Sequence, residues 1–313
     1  IQEQSIDEIL SSKPIKDIKK NMLANKPDAN CFRCTRRQID DKHFTYLRDH
    51  YNKLLVKDDV NYKDIDEFRL HTIDLHWSNI CNLRCIMCNP KQSSLIAKDD
   101  GVFMKPIEEH NIETIINTVV KNQYNMREVY LSGGEPFYIP YNIELMKRIE
   151  NKDIPLRINT NMQWNKNNRL FKILKYFTNV HLTVSADAVS DKFEYIRNGA
   201  SWKDFLENVE YVRQNTNFKI RMNTIFSIMN ADTIPGLIKH FYNELDIQDI
   251  TINLLLKPKE MDARNYPLHK KSSLTKKLEN LLTLVKSNKN LSSNIENCIF
   301  QLNLDKEHDY NNA

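Results

Sequence analysis

Short apolar runs alternate with amphipathic runs along the chain from about residue 68 onward. Six of the short runs predict β-strands, at residues 70–77, 129–131, 156–160, 180–185, 220–226 and 250–256. Between them, apolar residues recur at the spacing of a helix face, in the sets Ile112, Ile115, Ile116, Val119, Val120 and Trp202, Phe205, Leu206, Val209, Val212. Six strand–helix repeats predict a parallel sheet with right-handed crossovers.

This pattern leaves two α/β architectures open. The repeats fit a doubly wound sheet, and they fit a partial barrel as well. Residues 1 to about 66 differ from the rest, because they are polar, charge-rich and helix-like. The chain has 313 residues, 41% of them hydrophobic, which is enough for one large domain with an appendage.

The charge balance excludes little. Lys and Arg number 45 and Asp and Glu number 41, a net charge of +4, which neither requires nor excludes a nucleic-acid partner. No apolar run approaches the ~18 residues of a membrane span, and no signal peptide opens the chain. We therefore expect no membrane association and a cytoplasmic location, where cysteines stay reduced.

Three of the six cysteines form the most informative motif of the chain. Cys81, Cys85 and Cys88 have the spacing C-x3-C-x2-C. A [4Fe–4S] cluster is normally held by four thiolates, so three leave one iron open, and an open position is typical of a catalytic centre. A zinc knuckle would normally show a second C-x2-C pair downstream, and a disulfide framework is not expected in a long chain without a secretory signal.

A glycine pair stands about fifty residues downstream, in the run LSGGEP at residues 131–136. The chain has only five glycines, so two adjacent ones indicate a backbone requirement, either a sharp turn or a close approach to a ligand. Glu135 follows them and supplies a carboxylate for a cationic group such as an ammonium. A tight turn after a strand explains the run equally well.

Five motifs together resemble the successive motifs of the radical S-adenosylmethionine (SAM) superfamily: CNLRCIMC, LSGGEP, INTN at 158–161, VSAD at 184–187 and YIRNG at 195–199. The resemblance implies a partial (β/α)6 TIM-like barrel. It also implies that the three cysteines hold a [4Fe–4S] cluster whose fourth iron binds SAM. The reduced cluster then cleaves SAM, and a 5′-deoxyadenosyl radical abstracts hydrogen from a substrate.

The same resemblance assigns site residues. It implies that the backbone of Met87 contacts the SAM adenine and that Gly133, Gly134 and Glu135 bind the methionyl amino group. It assigns Ser185 and Asp187 to the ribose or carboxylate of SAM, and Arg197 to the carboxylate. The strand pattern places two further residues, Asn161 and Asn223, in the same cavity. Simpler roles stay open for three of them. Ser185 would satisfy a strand end, Asp187 would cap a helix, and Arg197 would be a surface charge.

The resemblance narrows to a subgroup with a twitch (SPASM/twitch-like) domain, found in phages and environmental bacteria. The segments QEQSIDEIL, KNMLANKPDANCFRC, YLRDHYNKLL, FEYIRNGASW and LLLKPKEMDARNYPLHKK are similar to it. It implies a small, mostly helical twitch-like segment at 1–66, a core barrel at 67–270 and a C-terminal helical extension at 271–313. Because the chain opens with Ile1 and no Met, we expect an N-terminal piece of that segment to be absent.

The remaining cysteines have open roles. In the subgroup, Cys31 and Cys34 belong to a segment that holds an auxiliary iron–sulfur cluster, yet such a cluster needs about four ligands and only Cys298 remains besides them. A free C-x2-C pair or a zinc half-site is the alternative. Cys298 is a candidate hydrogen donor to a substrate radical, a candidate auxiliary ligand, or a buried inert thiol.

The expected protein is thus a radical SAM enzyme with a [4Fe–4S] cluster and SAM as cofactors. Its favoured substrate is a peptide or protein side chain. The alternatives are a nucleotide, nucleic acid or small metabolite, or a catalytically silent scaffold that keeps the cluster. We expect an electron donor such as flavodoxin or ferredoxin as partner, and the host cytoplasm as location if a phage encodes the chain.

Overall fold

The computed structural model describes residues 4, 6–26, 28, 31 and 70–304. The polar N-terminal segment begins with two short helices, α1 (Ile6–Ser11) and α2 (Lys13–Leu23), as its helix-like composition predicts. Cys34 and most of the expected twitch-like segment lie outside the described residues.

Six parallel strands form the main sheet of the described chain. In chain order these are β1 (Thr72–Leu75), β3 (Glu128–Leu131), β4 (Leu156–Thr160), β5 (Val180–Ser185), β7 (Lys219–Phe226) and β8 (Ile250–Leu254). The numbers β2 and β6 belong to two short strands that form a separate pair, Arg84–Cys85 and Arg197–Asn198. All six predicted strands are confirmed, and the largest difference is at the first. It is shorter than the predicted 70–77, because the chain leaves the sheet after Leu75 to enter the cysteine loop, residues 76–93.

The strand order decides between the two architectures that the sequence leaves open. Neighbouring strands follow one another in chain order, β1-β3-β4-β5-β7-β8, with no reversal. A doubly wound sheet reverses direction at a switch point, and that reversal places helices on both faces. Without it, right-handed crossovers place every connecting helix on the same face. The sheet is therefore a curled half-barrel with an open concave face.

The helices that follow the strands bury the predicted apolar stripes. They are α3 (Ser94–Asp99), α4 (Glu109–Asn122), α5 (Pro140–Arg148), α6 (Arg169–Leu174), α7 (Ser190–Ile196), α8 (Trp202–Asn215) and α9 (Ile234–Lys239). Ile112, Ile115, Ile116 and Val119 are buried on α4, and Phe205, Val209 and Val212 are buried on α8. The stripes predicted from helical spacing are confirmed.

The two faces of the sheet differ in chemistry. On β4, Leu156 and Ile158 are buried on the face that the helices cover, whereas Arg157 and Asn159 alternate with them and are less buried. The interior of a closed parallel barrel is filled mainly by branched apolar side chains. Here the apolar core lies between sheet and helices, and polar side chains line the concave face.

Two C-terminal helices, α10 (Leu268–Leu284) and α11 (Lys289–Asn303), close the described chain. Helix α11 packs against β8, an edge strand, and Asn294 Oδ1 accepts a hydrogen bond from Ile252 N at 2.9 Å. This contact occupies a backbone N–H at the sheet edge. The expected boundary at residues 270 and 271 falls in the first turn of α10, and the domain division stays a prediction. No helix among the described residues is long and apolar enough to cross a membrane.

Candidate active site

The three motif cysteines lie on the loop that follows β1. Cys85 is buried in a two-residue strand, β2 (Arg84–Cys85), while Cys81 and Cys88 are half-buried on either side. Strand β2 pairs antiparallel with a second short strand, β6 (Arg197–Asn198), so that Cys85 lies opposite Arg197. Ile86 N extends the pairing by donating to Ile196 O at 2.9 Å. The middle cysteine is thus attached to the YIRNG segment.

The start of α3 fixes the loop from the other side. Cys81 N donates to Ser94 Oγ at 3.2 Å, and Ser93 Oγ donates to Leu83 O at 2.7 Å. Ser93 also caps α3, because its hydroxyl accepts from Ile96 N. Hydrogen bonds to the backbone therefore set the path of the loop around the cysteines.

The three thiols have unequal acidities. Burial raises the pKa of Cys81 to about 11, and the hydrogen bond to Cys85 together with burial raises the pKa of Cys88. A hydrogen bond from Cys88, with help from the Arg197 cation, lowers the pKa of Cys85 to about 7. Because metals bind the thiolate form, metal binding would release protons from Cys81 and Cys88 in particular.

The glycine pair makes the sharp turn that the sequence predicts, with φ of 77° at Gly133 and 41° at Gly134. The close approach it allows is to the cysteine loop. A Cβ at Gly134 would lie 2.1 Å from Ile80 O, and one at Gly133 would lie 2.3 Å from the His76 ring. Glu135 N also donates to Ile80 O at 2.7 Å. The pair is therefore needed to seat the turn against the segment that leads into Cys81.

Glu135 is 1% exposed, and three hydrogen bonds orient its carboxylate. Oε2 accepts from Asn161 N at 2.7 Å, and Oε1 accepts from Thr160 Oγ1 at 2.9 Å and from Phe137 N at 3.3 Å. Burial raises the pKa of Glu135 to about 7. A carboxylate offers about four lone-pair positions, so about one acceptor position remains for a cationic donor.

Asn161 connects the end of β4 to the cysteine loop. Its Nδ2 donates to Asn82 Oδ1 at 2.9 Å, and Asn82 Nδ2 donates in turn to Gln163 O at 2.8 Å. Asn82 lies between the first two motif cysteines. Asn161 therefore both holds Glu135 through its backbone and holds the loop through its side chain.

Asp187 and Arg197 pair with each other in the interior. Arg197 Nη2 lies 2.7 Å from Asp187 Oδ2, while Asp187 Oδ1 accepts from Ile225 N at 2.8 Å and Thr224 Oγ1 at 3.3 Å. Asp187 is fully buried and Arg197 is 7% exposed. Arg197 is therefore no surface charge, and Asp187 is not the cap of α7, whose N-cap residue is Val189.

Ser185 and Asn223 lie beside each other at the open face. Ser185 ends β5 and is in register with Asn223 of β7, and both are half-buried. Asn223 Oδ1 accepts from Asn253 Nδ2 of β8 at 2.6 Å. Met87 lies between the second and third cysteines and packs against the core. These positions, with Glu135, Asn161 and Asp187, gather toward the carboxyl ends of the strands.

Two further cysteines lie among the described residues, Cys31 and Cys298. Cys298 is fully buried on α11 among core residues, and burial raises the pKa of its thiol. Helix α11 packs against β8 and α10 rather than against the cysteine loop. Cys31 follows α2, where its N–H donates to Asp28 O at 2.8 Å. The geometry of Cys298 is that of the buried thiol among its three predicted roles.

Sequence reasoning missed three residues that hold the site, namely Asn82, Thr160 and Ser94. Asn82 lies in the CNLRCIMC motif and Thr160 in the INTN motif. Their roles become visible only when the structure shows which residues they hydrogen-bond. Ser94 follows Ser93, and a serine before an apolar run is a recognised signal for the start of a helix. This signal could have located α3, and with it Ser94.

The fold and site define a half-barrel protein that carries three thiols on the loop after its first strand. A model of the radical SAM superfamily matches residues 75–238, more than half of the chain. The chain belongs to the radical SAM superfamily. Members of this superfamily use a [4Fe–4S] cluster and SAM.

Curated relatives match part of the chain. It is 25% identical over 190 residues to the GTP 3',8-cyclase of Listeria welshimeri serovar 6b, a match that covers 58% of this chain and 54% of that protein. The GTP 3',8-cyclase of Listeria monocytogenes serovar 1/2a is 24% identical over the same length, with the same coverage. The chain spans about half the length of these curated relatives.

Solved structures share the fold. Native anSMEcpe with bound AdoMet aligns with a TM-score of 0.52 at 20% identity, covering 70% of this chain and 61% of that one. Streptococcus suis SuiB bound to precursor peptide SuiA aligns with a TM-score of 0.51 at 19% identity, covering 71% and 48%. At this level of identity the likeness establishes the fold and nothing finer.

Proposed function

We propose that this chain is a radical SAM enzyme that holds a [4Fe–4S] cluster through Cys81, Cys85 and Cys88. The carrying observation is that three thiols occupy one loop, fixed by β2 and α3, at the carboxyl ends of a parallel half-barrel. Three thiolates suit a four-iron cluster with one open position. When bound, the cluster supplies the electron that cleaves SAM.

Glu135 is the proposed acceptor for the SAM amino group. Its carboxylate has about one acceptor position left after the bonds from Phe137, Thr160 and Asn161. An ammonium at that position would favour the ionised carboxylate, against the burial that raises its pKa to about 7. Gly133 and Gly134 serve this contact by seating Glu135 beside the cysteine loop.

The remaining assignments follow from position. Arg197 Nε is buried and has no hydrogen-bond partner within the described residues, which leaves a donor for the SAM carboxylate. Ser185 and Asn223 lie side by side at the open face, where they would contact the ribose, and the backbone at Met87 would contact the adenine. Asp187 is a candidate for the ribose or carboxylate, although its Oδ1 accepts from Ile225 N and its Oδ2 forms an ion pair with Arg197.

A peptide or protein side chain is the proposed substrate. The proposal rests on the resemblance of several segments to twitch-domain proteins, which remains a prediction, and on a fold shared with SuiB, whose structure is bound to a precursor peptide. The twitch-like segment and a flavodoxin or ferredoxin as electron donor belong to the same proposal. Cys31 and Cys34 would hold an auxiliary cluster only together with ligands beyond the six cysteines of this sequence. The cytoplasm is its proposed location.

A nucleotide is the second candidate substrate, because the curated relatives act on GTP by their names. The polar concave face suits a substrate rich in hydrogen-bonding groups. Asn159 and Thr183 lie side by side there on β4 and β5, and Thr183 Oγ1 has no hydrogen-bond partner among the described residues.

Formation of 5′-deoxyadenosine tests the proposal. Anaerobically reconstituted protein should produce it from SAM and dithionite, and replacement of Cys81, Cys85 and Cys88 by Ala should abolish both the cluster absorbance and the product. Cys298→Ala, which removes a thiol in the core, is the matched control and should keep both. Product from the triple variant would refute the proposal, whereas a stable cluster without product in the wild type would favour the scaffold.

The substrate is tested separately. Untargeted mass spectrometry of cells with active protein and with the triple cysteine variant should reveal a modified peptide. A modified nucleotide in place of a peptide would select the second candidate. Stimulation of 5′-deoxyadenosine formation by GTP but not by peptide fractions would support the same conclusion.

A further inference from the structure

Arg197 lies where the cysteine loop meets the barrel. It is directly opposite Cys85 in the β2–β6 pair. Directly opposed residues of an antiparallel pair project from the same face. Cys85 and Arg197 are both buried, whereas their neighbours Arg84 and Asn198 are exposed on the other face.

The Arg197 guanidinium is anchored to the barrel by Asp187. Nη2 of Arg197 is 2.7 Å from Asp187 Oδ2. Asp187 lies two residues after the end of β5, and its Oδ1 accepts from the backbone N–H of Ile225 on β7 at 2.8 Å. Asp187 O accepts from Asn230 Nδ2 at 2.9 Å, so the backbone of Asp187 is held as well. The carboxylate of Asp187 is therefore fixed in position and holds the Arg197 guanidinium in one place.

We propose that Asp187 and Arg197 are a positioning pair that docks the cysteine loop on the ends of β5 and β7 and keeps a cation beside Cys85. This role goes beyond contact with SAM, and its electrostatic part rests on the proposed function of Cys85 as a cluster ligand. The docking part concerns the protein alone.

Burial gives the pair its strength. Removing one partner of a buried ion pair leaves an uncompensated charge, which is far more costly than breaking a pair in water. Arg197 also faces Cys85 across the β2–β6 pair, on the buried side of both strands. A fixed cation near a cluster stabilises its more negative, reduced form, as outer-shell groups do at metal centres generally.

The same short strand provides a matched control pair. Arg84, next to Cys85, pairs with Asp99 of α3, and their side chains are 42% and 49% exposed. An exposed pair contributes little because water and salt screen it. The Arg84–Asp99 pair ties β2 to α3, whereas the Asp187–Arg197 pair ties β6, the partner strand of β2, to the end of β5. The two pairs differ in burial.

Amide hydrogen exchange on the full chain, before cluster reconstitution, tests the docking. We expect Asp187→Asn and Arg197→Gln each to speed exchange in a peptide covering residues 84–86 by about tenfold or more, because β2 loses its buried anchor. The double variant should exchange no faster than the faster single variant, since the two residues act as one unit. Asp99→Asn should exchange like the wild type.

The reduction midpoint potential of the reconstituted cluster, measured without SAM, tests the cation. Arg197→Gln should lower the potential, and Arg197→Lys, which retains the positive charge, should lie nearer to the wild type. A purely structural role would shift exchange but leave the potential unchanged. Arg197→Lys also provides a second variant if Arg197→Gln does not fold.

Wild-type exchange at residues 84–86 in both single variants would overturn the proposal, and so would weaker SAM binding as their only defect. Faster exchange in these variants, combined with a wild type that forms no 5′-deoxyadenosine, has a different meaning. It would refute the proposed function while the docking role of Asp187 and Arg197 stands.

Discussion

Gly101 and Gly134 both adopt a positive φ, of 65° and 41°, but only Gly134 faces a close neighbour. Gly134→Ala should destabilise the protein by more than about 2 kcal/mol, because the new Cβ would lie 2.1 Å from the backbone oxygen of Ile80. Relief of that overlap would displace the chain that enters Cys81. Urea denaturation before cluster reconstitution measures the loss.

Gly101→Ala is the control for this prediction. Its Cβ would meet nothing within 4 Å, so it carries only the strain of a left-handed backbone, about 1–2 kcal/mol. The larger loss should appear at Gly134, together with poorer cluster loading. Equal losses at the two positions would show that the approach to Ile80 adds nothing.

The raised pKa of Glu135 makes the free energy of unfolding depend on pH. Burial raises its pKa from 4.5 to about 7, so the folded chain holds the proton more tightly than the unfolded chain does. The resulting stabilisation is complete below about pH 4.5 and is lost as the pH rises to about 7, a change of about 3 kcal/mol. Denaturation midpoints between pH 4.5 and 8, without SAM, measure this fall.

Glu135→Gln should remove this contribution, because an amide does not titrate in this range. It should also weaken SAM binding in the reconstituted protein by roughly ten- to a hundredfold, the value of a hydrogen bond to a charged group. Binding of SAM by the wild type should strengthen as the pH rises through about 7. A variant that keeps the pH slope and the SAM affinity would show that Glu135 only supports the turn.

At the scale of elements, the edge strand β8 depends on a helix that is distant in sequence. Asn294 of α11 accepts the hydrogen bond of Ile252 N, a group on the outer side of the sheet. Asn294→Ala should lower the free energy of unfolding by about 1–2 kcal/mol, because a partly buried N–H loses its acceptor. Thermal denaturation measures the change.

Asn294→Asp is the conservative partner of that variant, since it keeps an acceptor oxygen at the same place. It should retain most of the stability that the Ala variant loses. An equal loss in the two variants would assign the effect to the packing of α11 and not to this hydrogen bond.

Short elements explain which parts of the fold escape sequence analysis. Strands of four to eight residues leave an apolar pattern, and all six of the main sheet were predicted from it. Strands β2 and β6 have two residues each, too few for any periodicity. Their pairing nevertheless places Arg197 opposite Cys85, a contact that the sequence pattern did not predict.

For the whole molecule, the cysteine inventory predicts one cluster per chain. Outside the C-x3-C-x2-C motif the sequence has Cys31, Cys34 and Cys298, fewer than the four ligands of a closed cluster, and Cys298 is buried on α11. Iron and sulfide analysis of reconstituted protein should therefore give about four iron atoms per chain. Replacing Cys31 and Cys34 by Ala should leave that content unchanged.

Two clusters per chain would contradict this count. The extra cluster would then be traced by the same double replacement and by Cys298→Ala. Loss of the second cluster in either variant would identify its ligands and support the auxiliary site that the twitch-like similarity predicts.

The sequence by itself determined the elements and the local motifs. Apolar alternation and helical spacing are properties of neighbouring residues, and so are the cysteine spacing and the run around Glu135. These sufficed for the parallel sheet, for the position of the site at the strand ends and for the superfamily.

Only the tertiary structure decided which partners these residues have. The strand order excluded the doubly wound fold. The fold also brings Asn82 into hydrogen-bond contact with Asn161, 79 residues further along the chain. It also turned Asp187 toward Arg197 in the interior. Such contacts depend on the order of the strands and on the path of the loops between them. No local pattern encodes them, because a polar residue such as Asn82 or Asp187 is equally compatible with an exposed position when only its sequence neighbours are considered.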